Sequence, residues 1–516
     1  MKDQIRNRWV IGVHLTPPSL ADNTADTDRL LERLKKALKT DHILVDIELV
    51  RQIPKRLRAF QYAVRCVLFK DGETWMLVNL YQMDSGIPIA GLAIDIGTTR
   101  VVTRIVDLET GEYLAQSSFD NPQSAIGPDV LSRIHYTDKP GGLEHLNRLL
   151  IDRLNRDILD LCDSCSIKPM DINLISTAGN TVMTHLFLGL EPRWIIREPY
   201  IPAINRPGAV RASSLNINVN SRAIVSVFPN VGSYFGGDLI AGIFYSGIYK
   251  FDTPAILVDV GTNAEVVLGD KNWLVACAGA AGPALEGGVT KMGMTAGPGV
   301  IDSVKIDPIT RGFTITTIGG KPARGICGSG VIDLAAGLFA SGMIDIRGKI
   351  MPDRCGDRFF QKNEESRIIV AEKGETATGD SLSIGQADLD SLIRSKAAMY
   401  TILETISSFV GMALNELTTF FVAGTFGSFI NPKSAITIGM IPDLPLSCYR
   451  TLGNSSLEGA TLSLLSSGSM GIIHNIRDQI TYMELNVNQD FMNRFSAAKF
   501  LPHTDPSRFP SVQEPE

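Results

Sequence analysis

The sequence has no excess of positive charge, no long uninterrupted apolar run and no cysteine framework. Acidic side chains outnumber basic ones by 55 to 49, giving a formal net charge of -6. That balance leaves no electrostatic footprint for a phosphate backbone, so nucleic acid is not expected as the main partner. Each apolar stretch, residues 331 to 343 for instance, meets an Asp or Gly short of the roughly 20 residues that cross a bilayer, which argues against a membrane span. The start, Met1-Lys2-Asp3-Gln4-Ile5-Arg6, lacks the apolar core and small-residue cleavage site of a signal peptide; no export is expected, and the cytoplasm is the expected compartment. Seven scattered cysteines, an odd number, point to reduced thiols. His135 and His185 have no H-x-x-H or carboxylate-rich spacing, so no histidine-held metal is proposed. With 44% hydrophobic and 20% charged residues over 516 positions, the chain is expected to fold into two or three units.

Residues 1–88 read as a small α+β domain. A strand-like run spans residues 10 to 15, and Leu30, Leu31, Leu34 and Leu38 give helical spacing across 23–39. Strand-like runs follow at 42–50 and 62–69, the second turning at Lys70-Asp71-Gly72 into Trp75-Met76-Leu77-Val78. Residues 89–516 form the main body, with lobes at about 89–250 and 251–485. The proline-containing tail, 486–516, is expected to wrap the surface or fray.

The lobes rest on an internal repeat. Leu92-Ala93-Ile94-Asp95-Ile96-Gly97-Thr98-Thr99, followed by Val101-Val102, is echoed by Ile256-Leu257-Val258-Asp259-Val260-Gly261-Thr262-Asn263, followed by Val266-Val267. Each copy sets an aspartate at the end of an aliphatic strand, then glycine and hydroxyl or amide residues in a tight turn. Glycine lets backbone approach phosphate, adjacent N–H groups form an anion nest, and Asp95 and Asp259 can hold hydrated Mg²⁺. A third element, Phe420-Phe421-Val422-Ala423-Gly424-Thr425-Phe426-Gly427, has small residues at a strand exit, where adenosine could lie against the backbone. Its position resembles the adenosine motif of the actin-like (sugar kinase, actin, heat-shock chaperone) ATPase superfamily. The segments starting at Gly236-Gly237-Asp238 and at Gly453-Asn454-Ser455 resemble that superfamily's hinge helices. Asp238 is then a candidate for positioning water or Mg²⁺, with a helix N-terminal cap as the competing reading. The fold class expected is α/β: duplicated actin-like, ribonuclease H-like ATPase lobes behind a small α+β domain.

Further segments resemble one family, the reductive activators of corrinoid proteins. They are Pro17-Pro18-Ser19-Leu20-Ala21-Asp22-Asn23, Gly127-Pro128-Asp129-Val130-Leu131-Ser132-Arg133-Ile134, Ala178-Gly179-Asn180-Thr181 with His185-Leu186, Ala280-Ala281-Gly282-Pro283-Ala284-Leu285-Glu286-Gly287, and Gly325-Ile326-Cys327-Gly328-Ser329-Gly330. The resemblance spans nearly the whole chain. It implies an ATPase that returns cob(II)alamin protein to the cob(I) state for methyl transfer, with ATP and Mg²⁺ bridging the two aspartate turns and lobe closure as the output. Gly328 and Ser329 join the expected nucleotide contacts. Glu286 is a candidate for the ribose hydroxyls, with a plain helix-surface position as the alternative.

Members of that family typically begin with a ferredoxin-like domain whose four cysteines hold a 2Fe-2S cluster. The C-x4-C-x2-C spacing is missing here, and Cys162-Asp163-Ser164-Cys165 is the sole close pair. No iron-sulfur cluster is therefore expected in this chain, and the implied partners are a corrinoid protein, a separate ferredoxin-like electron donor and, as a candidate, a second copy in a homodimer. Cys162, Cys165, Cys277 and Cys327 read better as structural thiols than as redox groups. The other classes kept open are a small-molecule kinase, with Asp129 or Asp238 as base, and a nucleotide-dependent assembly scaffold.

Overall fold

Strands β1 (Val10–His14), β2 (Ile43–Val45), β3 (Ala63–Asp71) and β4 (Thr74–Gln82) form a sheet in the order β1-β3-β4-β2. The computed structural model describes residues 9–261, 264–279, 290–424, 430–485 and 491–513. Gly72, at φ 58°, turns β3 into β4 as the Lys70-Asp71-Gly72 sequence predicts. Helix α1 (Asp26–Leu38) buries Leu30 and Leu34 against Val13, Val64 and Leu77. The strand expected over 42–50 is shorter. Asp46 ends it by accepting the Glu48 amide at 2.7 Å, and a helical turn, Ile47–Val50, follows. An aspartate that caps its own downstream amide competes with the ladder.

Contacts divide the chain into two units. The first holds the residues through Tyr245 together with Ser455–Gln479; the second holds Ser246–Asn454 with the residues from Ile480 on. In the first unit, β5 (Ala90–Ile96), β6 (Arg100–Asp107) and β7 (Tyr113–Asp120) make an antiparallel meander. Strands β8 (Ile172–Gly179), β9 (Ala209–Arg211) and β10 (Ile224–Val227) complete the order β7-β6-β5-β8-β10-β9, with β8 parallel to β5 and β10 parallel to β8. Helices α2 (Val130–Tyr136), α3 (Gly142–Ser164), α4 (Thr181–Leu188) and α5 (Gly237–Ser246) lie along this stretch. Leu146, Leu150, Leu154 and Ile158 of α3, one apolar stripe at helical spacing, share a buried core with Leu92, Ile94 and Ile96. A buried amide cluster joins the small sheet to this larger one: Asn173 Oδ1 accepts from Asn79 Nδ2 at 2.9 Å and from Asn220 Nδ2 at 2.8 Å, and Asn173 Nδ2 donates to the Tyr81 hydroxyl at 2.9 Å.

The second unit opens with β11 (Ala255–Val260), β12 (Ala264–Gly269) and β13 (Leu274–Gly279), again an antiparallel meander. Strands β14 (Val300–Ile306), β15 (Phe313–Thr317) and β16 (Gly325–Ile326) form one small sheet, leading into α6 (Gly328–Ala340). Strands β17 (Phe359–Lys362), β18 (Glu365–Ala371) and β19 (Leu382–Gly385) form another, followed by α7 (Gln386–Phe409). Strands β20 (Phe420–Ala423), β21 (Tyr449–Gly453) and β22 (Ile480–Tyr482) return to the main sheet, whose order is β21-β20-β11-β12-β13-β22. Helices α8 (Ser455–Ser463) and α9 (Ser469–Gln479) belong to the first unit.

The two large sheets repeat one plan. In each, a meander (β5-β6-β7 or β11-β12-β13) is extended from its first strand by two parallel strands (β8 and β10, or β20 and β21). The sequence repeat is thus a structural duplication. The tail does more than cover the surface: Leu501 and Phe509 are buried, Phe509 packs 5.4 Å from the Tyr400 ring, and the buried Lys396 ammonium of α7 donates to the Phe500 and Pro502 carbonyls.

Candidate functional site

Asp95 is the next-to-last residue of β5, whose other six residues are buried, and Asp259 holds the same place in β11. In both strands the carboxylate is the one side chain that emerges from the core. The apolar neighbours of each aspartate fix the strand; the pleat and the nearby strand end bring the carboxylate out.

Gly97 begins the turn after β5. A Cβ there would collide with the Arg100 carbonyl oxygen, so the tight turn requires glycine. All three turn carbonyls are hydrogen-bonded. Asn121 Nδ2 donates to Gly97 O at 3.0 Å, Arg133 Nη2 to Thr98 O at 2.6 Å, and the Asn121 amide to Thr99 O at 2.8 Å. In a trans peptide the C=O and the next N–H point in opposite directions, so tethering the Gly97 and Thr98 carbonyls inward aims the Thr98 and Thr99 amides outward. Two successive amides aimed together form an anion nest. Asp95 Oδ1 accepts the Ser456 hydroxyl of α8 at 2.7 Å, which fixes the carboxylate.

Asn180 ties the turn to its surroundings. It caps α4 by accepting the Met183 amide at 2.9 Å, and its Nδ2 donates to Thr98 Oγ1 at 3.0 Å. A Cβ at Gly236 would lie 2.5 Å from Asn180 Cα and 2.6 Å from Asp238 Oδ1, so the α5 entry packs backbone to backbone on the α4 entry. Asp238 sits in the first turn of α5, where its carboxylate accepts the Leu239 amide at 2.9 Å. Thr98 and the α5 entry that carries Asp238 thus meet at Asn180, and Asp95 lies beside them where β5 pairs with the end of β8. Thr99 is exposed beside them.

In the second unit, Gly424 follows β20 with φ 85°, and a Cβ on it would stand 2.7 Å from Asp259 Oδ1. The expected adenosine element therefore starts directly against the second carboxylate. Gly261 opens the matching turn. Thr262, Asn263, Glu286, Thr425, Phe426 and Gly427 lie outside the described residues. Gly328 and Ser329 begin α6 and are buried; Ser329 Oγ donates to Asp302 O at 3.0 Å and stands 3.2 Å from Cys327 Sγ, facing β14.

All seven cysteines are free thiols. Burial pushes Cys162 and Cys277 up to about 12, away from the thiolate form that redox chemistry uses. The redox-dithiol reading of the Cys162/Cys165 pair has no support here, because Cys165 Sγ points back to the Leu161 carbonyl at 3.2 Å.

The sequence assigns no site role to Asn121, Arg133, Asn180 or Ser456, although Arg133 and Asn180 stand in the segments that carry the family resemblance. Asn180 carried a local signal, an asparagine directly before an apolar helix, which is an N-cap signature. Ser456 carried none, since its partner is 361 residues away.

Duplicated sheets, each with an aspartate at the end of its first meander strand, define the protein's class: an actin-like (ASKHA) α/β fold with a small N-terminal domain. Three family models cover the chain in sequence, the RACo linker region at residues 9–86, the RACo middle region at 90–251, and the C-terminal domain of RACo, the ASKHA domain, at 253–513. The chain belongs to the RACo family. It is 32% identical over 416 residues to the corrinoid activation enzyme RamQ of Eubacterium limosum, covering 79% of this chain and 70% of that one. A [Co(II) methylated amine-specific corrinoid protein] reductase of Methanosarcina barkeri is 22% identical over 436 residues, 78% of this chain and 75% of its own. The solved structure of a reductive activator for corrinoid, iron-sulfur protein superposes with a TM-score of 0.87 at 38% identity, covering 98% of this chain and 81% of that one.

Proposed function

We propose that this protein uses ATP binding and hydrolysis to reactivate a corrinoid protein, promoting one-electron reduction of cob(II)alamin to cob(I)alamin with an electron from a separate ferredoxin-like donor. The corrinoid part rests on the relatives, whose names state corrinoid activation or corrinoid-protein reduction. The nucleotide part rests on one observation, the Gly97-Thr98-Thr99 turn whose carbonyls are all tethered by hydrogen bonds.

In this reading Gly97, Thr98 and Thr99, with Gly261, Thr262 and Asn263, receive phosphate oxygens. Gly424, Thr425, Phe426 and Gly427 lie against adenosine, Glu286 takes ribose hydroxyls, and Gly328 and Ser329 complete the nucleotide surroundings. The partly exposed carboxylates of Asp95 and Asp259 are hard oxygen donors that suit Mg²⁺, which takes a few carboxylates alongside phosphate oxygens and water. Mg²⁺ held there would neutralise phosphate charge. Asp238 orients the attacking water, since its carboxylate stays fixed at the α5 entry. ATP drives the reduction only through unequal affinity for the protein's conformations, so hydrolysis must alter a conformational equilibrium.

The test is steady-state MgATP hydrolysis with and without a corrinoid partner. Asp95→Asn keeps an acceptor for Ser456 and removes the charge, so turnover falls about a hundredfold while the protein stays folded. Unchanged hydrolysis in that variant would remove Asp95 from the site, and a phosphorylated small molecule as product would move the protein to the kinase class.

A further inference from the structure

Arg133 is fully buried, yet among the described residues no carboxylate hydrogen-bonds or ion-pairs with it. Its partners are all neutral. Nε donates to Gly127 O at 2.9 Å, Nη1 to Gln123 Oε1 at 3.3 Å and to Met183 Sδ at 3.2 Å, and Nη2 to Thr98 O at 2.6 Å and Ser124 Oγ at 3.1 Å. The carboxylate nearest in sequence, Asp129, is committed to capping α2 through the Ser132 amide and hydroxyl at 2.8 and 2.9 Å. Desolvation pushes the guanidinium down to about 10, and the Asp129 charge opposes it only in part.

Burying a cation with no anion bonded to it is costly, and five hydrogen bonds to neutral groups satisfy its donors without cancelling its charge. The chain builds the site deliberately all the same. A Cβ at Gly127 would lie 2.9 Å from the Arg133 amide nitrogen and 3.1 Å from its Cγ, so glycine at 127 makes room for the arginine stem. One guanidinium nitrogen then holds the middle carbonyl of the Gly97-Thr98-Thr99 turn. A charge in this place lies directly behind the amides aimed outward by the turn.

We propose that Arg133 is a positioning residue for polyphosphate: its buried charge, one peptide unit behind the Thr98 turn, is balanced by the phosphates of the bound nucleotide. The proposal rests on the nucleotide reading given above and adds the residue that makes the turn selective for highly charged phosphate chains. Arg133 touches no ligand itself. It acts by holding the Thr98 carbonyl, which aims the Thr99 amide, and by its field through a dry interior, where charge is weakly screened.

Calorimetric titration of the purified protein with adenosine, AMP, ADP, ATP and inorganic tripolyphosphate, each with Mg²⁺, tests this in the wild type and in Arg133→Lys, Arg133→Gln and Arg133→Met. Affinity of the wild type rises with phosphate number. Arg133→Gln and Arg133→Met weaken ATP and tripolyphosphate by about tenfold or more and leave adenosine unchanged, while Arg133→Lys recovers most of the loss. Apo thermal stability provides a second reading: neutral replacements cost the apo protein less than the ATP-bound one. Equal proportional losses for every ligand, or a lysine variant no better than methionine, would show a packing role and overturn the proposal. Should the neutral variants not fold, the lysine variant decides alone, because it must retain the dependence on phosphate number. A wild type that binds tripolyphosphate through Arg133 but not ATP would sink the nucleotide reading and leave the role of Arg133 standing; ATP binding indifferent to Arg133 would do the reverse.

Discussion

Gly97 and Gly424 are the positions where a single methyl group is most informative. A Cβ at Gly97 meets backbone, the Arg100 carbonyl, which no rotamer change can relieve, and Gly424 combines a positive φ with a carboxylate oxygen 2.7 Å from any Cβ. Alanine at either site is expected to cost about 1–3 kcal/mol, by overpacking at 97 and by backbone strain as well at 424. Thermal unfolding and MgATP affinity, measured together, check this: both variants lose stability and nucleotide affinity, whereas a stability loss with affinity intact would place the turns away from the nucleotide. At this scale the sequence was partly legible. Asp95 and Asp259 stand out because each interrupts an otherwise apolar strand, and Gly97 because tight turns select glycine. Arg133 and Ser456 could not be read, since their meaning depends on contacts with Thr98 and Asp95 that close only in three dimensions.

Among the elements, the C-terminal segment departs most from its composition. Its prolines and polar residues suggest a loose tail, but His503 is buried between Tyr400 and Phe509, with ring centroids 5.5 and 6.4 Å away. His503 Nδ1 accepts the Asp505 amide at 3.0 Å, and its buried Nε2 has no hydrogen-bond partner among the described residues. Desolvation first, then the nearby Arg508 and Lys396 charges, hold this imidazole down to about 4, with Glu404 and Asp505 opposing weakly. The folded-state value lies below the unfolded one near 6.5, so the unfolded chain binds more protons between those limits. Stability is therefore fully present above about pH 6.5 and is lost as pH falls towards 4, by up to about 2 kcal/mol at pH 5. Denaturant unfolding at pH 7 and pH 5 measures it. His503→Asn, which keeps an acceptor for the Asp505 amide, flattens that slope; an unchanged slope would assign the acid sensitivity elsewhere. Hydrophobic periodicity predicted α1 and the β3-β4 hairpin because both are local. It missed the turn after Asp46, where a side-chain cap overrides the strand, and the burial of the tail, which depends on carbonyls reaching Lys396 more than a hundred residues away.

Across the whole molecule, duplication is the organising fact, and it was visible in the sequence because both copies keep an aliphatic strand, an aspartate and a glycine turn in the same order. The chain path was less visible. Residues 455–479 fall between β21 and β22 of the second sheet in sequence but pack in the first unit, where Arg104 pairs with Glu458 at 2.7 Å and Ser463 meets Ser176 at 2.6 Å. Strand-helix spacing alone carries no record of such a return. The same contacts give α8 its function in this account, because the Ser456 hydroxyl that fixes Asp95 arrives on the returning helix.

In the proposed function, nucleotide turnover at the Asp95 and Asp259 turns drives corrinoid reduction. Its most direct measurement is anaerobic: purified protein, MgATP, a cob(II) corrinoid protein from the same organism and a low-potential chemical reductant, with the cob(I) absorbance followed in time. The expected result is a rise that requires ATP and is abolished by Asp95→Ala or Asp259→Ala. No ATP-dependent rise, with the corrinoid partner also leaving ATP hydrolysis unchanged, would contradict it.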